Sequence, residues 1–417
     1  MKQVTLAIVG CGARGANYGK FALEFPQRAK VVAIAEPRKA YREIMVRQHN
    51  LPPPKTFLDW QSFFQKAKMA DAVVIATQDN DHIGPALAAF DKGYDVLLEK
   101  PMAPTLAQCE TIVRRAKSAG RIFSVCHVLR YTNYTRKIKE LIDKGAIGEV
   151  VSVQRLEPVG FWHQAHSYVR GNWRNEALSS SMLLAKSCHD LDWLRHIIGA
   201  PCLSLSSFGS LKHFKTEEAP EGSAVRCLDC FLEASCPYSA KKIYLDRVAA
   251  GETEWPALVL HHEPTIVSVK EALRTGPYGR CVYRCDNDVV DNQVVACQFA
   301  KGRTATFTMT AFTSFRGRNT RIFGTAGEIC GDGEKIQLFD FLTRQWKDLQ
   351  TDPLPKTSLK GHGGGDYGLM DSFISACAKE DQSLVLSGPD ESLETHAMVF
   401  AAEKARMEKR VVELSDL

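Results

Sequence analysis

A chain of 417 residues with 45% hydrophobic content is long enough for two separate cores. Its net charge of +5 is small for that length and no dense Lys/Arg block appears, so no nucleic-acid partner is expected. No uninterrupted apolar stretch reaches bilayer length, so no membrane partner is expected either. The N-terminus reads as a strand, not as a basic region followed by an apolar signal segment, which makes a cytoplasmic protein the expectation. Thirteen cysteines in that setting are read as reduced, and Cys126, Cys297 and Cys377, each alone in an apolar segment, as small buried hydrophobes.

Taken in chain order, the apolar run Val4–Val9 leads straight into Gly10-Cys11-Gly12-Ala13-Arg14-Gly15. A buried strand, G-x-G-x-x-G and a following helix make a pocket for a dinucleotide pyrophosphate. Gly10 permits the tight turn, Gly12 lets the phosphates come close, and Gly15 lets the helix pack on the strand. The helix N-terminus adds free N–H groups and partial positive charge at Ala13 and Arg14. A second apolar run, 31–35, ends in Glu36, about twenty residues past the last glycine, where a carboxylate accepts both ribose hydroxyls. Glu36 disfavours a 2′-phosphate, so NAD is expected over NADP, with Arg38 close enough to weaken the preference.

Strand-like runs recur at 73–76, 96–98 and 122–125, with helical stretches between them. Thr105 is an N-cap for a helix that stops at Gly120. Alternating strand and helix implies a parallel sheet covered on both faces, so residues 1–125 are expected to form an α/β, doubly wound Rossmann domain.

The period then changes. A helix is expected over Asn133–Asp143, stopping at Gly145, followed by strand-like alternation over 150–155. Further strand-like runs fall at 266–269, 294–299, 304–312, 322–325 and 336–341, several separated by short Gly-containing turns. Such turns favour antiparallel pairing. Residues 126–417 are therefore expected to form an α+β domain with a mainly antiparallel open sheet, closed by helices over 367–378 and 392–409. Residues 208–262 are charged, contain cysteines and show little sheet periodicity, which marks an insertion.

Two segments carry candidate chemistry. The run Leu98-Glu99-Lys100-Pro101 ends a strand of the parallel sheet, where ligands sit, so Lys100 is placed beside the nicotinamide on a turn stiffened by Pro101. A lysine extended along the surface fits the same tripeptide. In Lys186-Ser187-Cys188-His189 the spacing, if helical, puts Lys186, His189 and Trp193 on one face, where an imidazole and an ammonium meet a sugar hydroxyl together. A packed or capping histidine fits that spacing as well.

The chain resembles the glucose–fructose oxidoreductase, inositol dehydrogenase and MocA family. The resemblance rests on the N-terminal glycines, Glu36, Ala76-Thr77 with His82, and Glu99-Lys100-Pro101. It continues through Arg130, Gly145-Ala146-Ile147-Gly148-Glu149, Trp173-Arg174, and His189 with Asp192. It implies an NAD(P)-binding domain, a second domain whose open sheet often pairs in homodimers or homotetramers, and a sugar, cyclitol or related polyol as the small-molecule substrate. It carries over Thr77, His82, Glu99, Trp173 and Arg174 to the cofactor, Lys100 to the nicotinamide and His189 to the acid/base role. Many relatives have an aspartate four residues before the histidine; this chain has Ala185, and Lys186 is the candidate replacement.

With hydride transfer as the chemistry, neutral His189 is suited to take the hydroxyl proton and Lys100 to stabilise the alkoxide. Tyr131, Trp162, His163, His166 and Arg174 are candidates to line the sugar site, since aromatic rings suit the apolar faces of sugars, although core aromatics need no such reason. The run Gly361-His362-Gly363-Gly364-Gly365-Asp366 is an anion nest, a loop carrying His362 over the substrate, or a turn feeding the next helix. Cys227-x-x-Cys230 with Cys236 shows three ligands of a structural zinc, the fourth being Cys281 or Cys285; reduced thiols packed in a loop are the alternative. A similar cysteine-rich segment ending Cys-Pro-Tyr-Ser-Ala occurs in some members of the family. Three functions remain in view: an NAD-dependent dehydrogenase of a sugar, glycoside or cyclitol hydroxyl; an NAD-dependent redox glycoside hydrolase; and a non-catalytic NAD-binding regulator, disfavoured by the retained lysine and histidine.

Overall fold

The computed structural model describes residues 2–417. Strands β1 (Val4–Val9), β2 (Ala29–Ala35), β3 (Thr56–Phe57), β4 (Ala72–Ile75), β5 (Asp95–Leu98) and β6 (Phe123–Val125) form one sheet in the order β3-β2-β1-β4-β5-β6. Every pairing in it is parallel. Helices α1 (Ala13–Glu24), α2 (Lys39–His49), α3 (Ile83–Asp91) and α4 (Leu106–Ala119) cover its faces. Burial on both sides explains why these strands read as unbroken apolar runs. The strand order reverses between β1 and β4, and their carboxyl ends open the crevice where such sheets bind ligands. Thr105 caps α4 by accepting from Gln108 N, and Gly120 ends it in the left-handed conformation.

Strands β7 (Val150–Pro158), β8 (Cys202–Ser210), β9 (Asn292–Phe299), β10 (Arg303–Thr310), β11 (Asn319–Gly324), β12 (Gly327–Gly331), β13 (Ile336–Asp340), β14 (Gln345–Leu349) and β15 (Val412–Glu413) form the second sheet. Its order is β14-β13-β12-β11-β7-β10-β9-β8-β15, antiparallel except for β7 against β10. One face is buried: Val295, Cys297 and Phe299 of β9 point inward while Val294 is exposed. Helices α5 (Asn133–Asp143) and α6 (Cys188–Ile198) supply Ile138, Leu191 and Trp193 to that core.

Three local expectations are corrected. Residues 266–269 are not a strand but the first turn of α7 (Ile266–Thr275), where Thr265 and Ser268 cap each other reciprocally. Val269 and Leu273 are buried while Val267 is exposed, so the period is helical and no neighbouring strand competes for the run. The segment outside the sheet is longer than 208–262: residues 208–210 belong to β8, and regular pairing resumes only at Asn292. Finally, α8 (Gly365–Lys379) returns to the parallel sheet. Leu369, Met370 and Phe373 join Leu6, Ile8 and Phe21 in one cluster, while α9 (Pro389–Glu408) packs on α4 and α6. None of the thirteen cysteines is in a disulfide, and Cys126, Cys297 and Cys377 are buried. Among the described residues no helix is long and apolar enough to cross a membrane.

Candidate active site

The glycine turn sits where β1 and β4 diverge. Gly10 has φ +88°, and a Cβ there would lie 2.5 Å from Ala76 O; one on Gly15 would lie 1.9 Å from Gly10 O. These two glycines are required by the protein's own packing. Gly12 differs: a Cβ on it would meet only Arg38 Nη2, at 3.4 Å, so its bareness serves something outside the chain. No side chain caps α1 at Gly12, which leaves the helix N-terminus for an anion. Both features fit a dinucleotide pyrophosphate.

Glu36 is buried at the end of β2. Its Oε2 accepts from Cys11 N at 2.7 Å and from Arg38 Nη2 at 2.9 Å; its Oε1 accepts from Arg38 N at 3.0 Å and Arg38 Nε at 2.7 Å. Against the cost of burial, Arg38 holds this carboxylate below its usual range. Arg38 therefore occupies the oxygens that a ribose would use, and lies over the Tyr41 ring at 3.9 Å. Its guanidinium must swing aside for both ribose hydroxyls to reach Glu36.

Thr77 Oγ1 donates to Asp81 O at 3.2 Å, and His82 is buried with Nδ1 donating to Pro101 O at 2.8 Å. His82 thus ties the β4 loop to the β5 turn. Trp173 Nε1 donates to Asp79 at 3.0 Å, which docks the second domain on the first, and Arg174 binds Asp286 while lining an open polar cleft with Gln78 and Asn80.

Lys100 projects from the carboxyl end of β5. Its backbone N–H donates to Glu99 Oε2 at 2.9 Å, and its Nζ donates to Ala185 O at 2.7 Å. Glu99 Oε1 takes Arg14 Nε at 2.7 Å and the Tyr18 hydroxyl at 2.6 Å. The two nitrogens Nη1 and Nη2 of Arg14 bind Asp366, which also receives His362 Nδ1 at 3.1 Å. The Arg14 guanidinium joins α1 to the end of β5 and to the first turn of α8. Against burial, Arg14 keeps Glu99 and Asp366 ionised.

His189 lies in the first turn of α6, its ring 5.8 Å from His362 and 6.0 Å from His127. Burial first, then Lys100 and His362, push its pKa well below the ordinary imidazole range, so it is neutral at pH 7. Its Nδ1 is sealed in the interior without a partner, which leaves Nε2 for the cleft. The expected shared face with Lys186 and Trp193 is corrected: α6 starts only at Cys188, and Trp193 is a core residue that donates to Thr135 Oγ1 at 2.9 Å. Lys186 reaches the site from the turn before the helix. Its Nζ is 3.3 Å from Glu157 Oε1, and burial lowers its pKa.

Glu157, Arg318, Asp190 and Arg155 complete a network absent from the sequence reading. Arg318 Nε lies 2.7 Å from both Glu157 Oε2 and Asp190 Oδ1, and its N–H is directed at Asp190; Arg155 Nε donates to the same Asp190 oxygen at 2.7 Å. A usable signal was present: Val153, Arg155 and Glu157 share the inward parity of β7, and charges on a buried face demand partners. Glu157 thus supplies the carboxylate beside Lys186, close to Ala185 in the chain.

The candidate lining residues divide. His163 is half-buried in the field of Lys186, and Trp162 packs beside it, with ring centroids 5.9 Å apart. His166 faces the insertion, hydrogen-bonded to the Tyr244 hydroxyl at 2.8 Å and stacked on Tyr278. Tyr131 is not brought to the cleft: its hydroxyl accepts from Leu386 N and Ser387 N inside the core.

The zinc expectation finds no support. Cys227, Cys230, Cys236 and Cys281 do line one small cavity, but Arg170 lines it too, with Nη2 3.4 Å from Cys227 Sγ. Among the described residues no three His, Cys, Asp or Glu side chains form a group able to hold a metal ion. Burial pushes the Cys236 and Cys281 thiols up, toward the protonated form. Cys285 turns its Sγ to Cys281 O. The insertion is packed around Phe214, Tyr238 and Tyr283.

A doubly wound sheet with a bare glycine at the helix N-terminus, a buried carboxylate at the second strand end and a lysine at the fifth defines a dinucleotide-binding protein of the oxidoreductase class. Residues 4–127 match the profile described as an oxidoreductase family, NAD-binding Rossmann fold, and residues 139–414 match that family's C-terminal alpha/beta domain. The chain belongs to this family, that of glucose–fructose oxidoreductase, inositol dehydrogenase and MocA. It is similar to YteT of Bacillus subtilis, named as an oxidoreductase, with 24% identity over 83% of this chain and 82% of that protein. It is also 28% identical to the 2,7-anhydro-N-acetylneuraminate hydratase of Mediterraneibacter gnavus, over 48% of this chain and only 50% of that protein. In fold it is similar to levoglucosan dehydrogenase in complex with NADH and L-sorbose, with a TM-score of 0.74, 18% identity and 99% of each chain covered.

Proposed function

We propose that the protein is an NAD-dependent oxidoreductase that oxidises a secondary hydroxyl of a sugar, glycoside or cyclitol. The observation that carries this reading is the meeting of Lys100 with the Ala185 carbonyl, four residues before His189, at the open end of the parallel sheet. NAD, held at Gly12, the α1 N-terminus and Glu36, supplies a hydride acceptor. His189 Nε2 takes the hydroxyl proton, and its neutrality at pH 7 leaves it free to do so. Lys100 Nζ exchanges the Ala185 carbonyl for the substrate oxygen and stabilises the charge that grows there. Lys186, steadied by Glu157, donates a further hydrogen bond to a neighbouring hydroxyl. NAD is the preferred form because Glu36 opposes a 2′-phosphate. The exposed Phe208, Leu203, Val151 and Val294 on the outer sheet face support a homodimer or homotetramer, to be checked by light scattering.

A second reading keeps the same residues but returns the electrons within each cycle, giving net glycoside hydrolysis. It is favoured by the likeness to an enzyme named a hydratase, whose net reaction adds water. Purified protein incubated with NAD and a panel of sugars and aryl glycosides separates the two. Reduced cofactor rising in step with product supports the dehydrogenase, and aglycone release without net reduction supports the hydrolase. Silence in both channels with NAD bound overturns both.

A further inference from the structure

Beside the polar centre lies a group of large aromatic rings, one half-buried and two exposed, that the reaction does not use. Trp162 follows β7, Trp255 comes from the insertion, and Phe315 comes from the loop between β10 and β11. Ring centroids are 5.1 Å apart for Trp162 and Trp255, 5.1 Å for Trp162 and Phe315, and 6.4 Å for Trp255 and Phe315. Trp255 is 40% exposed and Phe315 51% exposed. Two apolar rings left this open, beside a half-buried third and all from separate segments, lose burial energy that ordinary packing would recover.

Their position is fixed and adjoins the reacting end. Gly160 lets the loop close in: a Cβ there would lie 2.9 Å from Phe315 Cα, and Phe161 N donates to Thr313 O at 2.9 Å. Three residues beyond Phe315, the same loop sends Arg318 into the Glu157 and Asp190 network. His163 joins the two zones, 4.9 Å from Trp255 and 5.5 Å from Phe315 by ring centroid, while standing in the field of Lys186. The Arg247 guanidinium lies over the Trp162 ring at 4.1 Å and holds that indole in its plane.

We propose that Trp162, Trp255 and Phe315 form a stacking subsite for the ring attached to the reacting sugar, so that the substrate is a glycoside with an aromatic or sugar aglycone and not a free monosaccharide or cyclitol. This deepens the reading above and rests on it for the position of the reacting ring. A polar end with ammonium and imidazole groups followed by an apolar platform matches a hydroxyl-rich ring joined to a second ring. A single free polyol would occupy the polar end and leave the platform bare.

The test is binding, measured by calorimetry with NADH-loaded protein, using phenyl 1-thioglycosides of glucose, galactose and mannose beside the free hexoses. A phenyl thioglycoside is expected to bind about tenfold tighter than its free sugar, consistent with aromatic stacking. Trp255→Ala and Phe315→Ala are each expected to remove most of that advantage and leave free-sugar affinity unchanged, with Trp255→Phe retaining it. Both positions are exposed, and circular dichroism checks the fold. Equal affinity for thioglycoside and free sugar, no measurable binding of any thioglycoside at millimolar concentration, or indifference to both alanine variants would overturn the subsite. Intact stacking without any redox turnover would instead sink the proposed function and leave the subsite standing.

Discussion

Lys100 Nζ and the carbonyl oxygen of Ala185 are 2.7 Å apart, and this bond joins the strand end that faces the dinucleotide cradle to the turn that presents Lys186 and His189. An ammonium bound only to a carbonyl in this way is held in place yet released without leaving a buried charge unpaired. Lys100→Ala is expected to lower turnover by about 10²–10³, the usual effect of removing one oxyanion donor. NAD affinity, measured by fluorescence titration, is expected to stay unchanged. Turnover within a few-fold of the parent enzyme would remove Lys100 from the mechanism.

The cradle glycines make separable predictions. Gly15→Ala places a methyl against the Gly10 carbonyl and is expected to cost about 1–3 kcal/mol of stability as an overpacked contact. Gly12→Ala meets only the end of a flexible arginine, so melting temperature is expected to hold while NAD binding weakens about tenfold or more. The reverse pattern, a folding loss at Gly12 with intact NAD binding, would show that no phosphate passes there.

Arg38 competes with the ribose for Glu36. Arg38→Gln is expected to tighten NAD and weaken NADP, raising the ratio of their affinities about tenfold, because it frees the carboxylate oxygens and removes a cation beside a 2′-phosphate. Dissociation constants for both cofactors, measured on the variant and its parent, check this; an unchanged ratio would mean that Arg38 stays on Glu36 when cofactor binds.

Arg130 and Asp192 form a buried two-point pair at 2.8 and 2.7 Å. Asp192→Ala leaves that guanidinium without its anion, which is expected to cost about 3–5 kcal/mol in chemical denaturation. A loss below about 1 kcal/mol would show that the pair is replaceable by the nearby Leu386 carbonyl, which Arg130 already contacts.

Acid is expected to destabilise the fold early. Burial lowers His127 and His166 to about 3 and His396 to about 4. In the unfolded chain these imidazoles take up protons near pH 6.5, so below that value protonation favours the unfolded state, and stability falls until the folded-state pKa is reached. The loss is expected on the order of 2 kcal/mol per histidine between pH 7 and pH 5. The depressed carboxyls of Asp190, Asp192 and Glu99 act in the same direction at lower pH, since folded-state ionisation is lost as they protonate. Urea titrations at the two pH values test this, and equal stabilities would contradict it.

Elements held by local contacts were the legible ones. The parallel sheet could be read because strands buried on both faces are unbroken apolar runs, and Thr105 and Gly120 mark their helix without help from elsewhere. Residues 266–269 misled, since their β-branched side chains form a helix where a capping box starts them and no strand lies alongside. The charged network was hidden for another reason: Glu157, Asp190 and Arg318 meet from β7, α6 and a distant loop, and nothing near any one of them names the other two.

The amino-acid order by itself determined the dinucleotide cradle, because its glycines, its helix start and the acidic strand end act through backbone geometry over a few residues. Only the tertiary structure decided that Arg14 turns to Glu99 and Asp366, that Glu157 pairs with Lys186, and that Arg170 reaches Cys227 in the cysteine-lined cavity. Those outcomes depend on which charges become buried together, and burial is a property of the assembled fold.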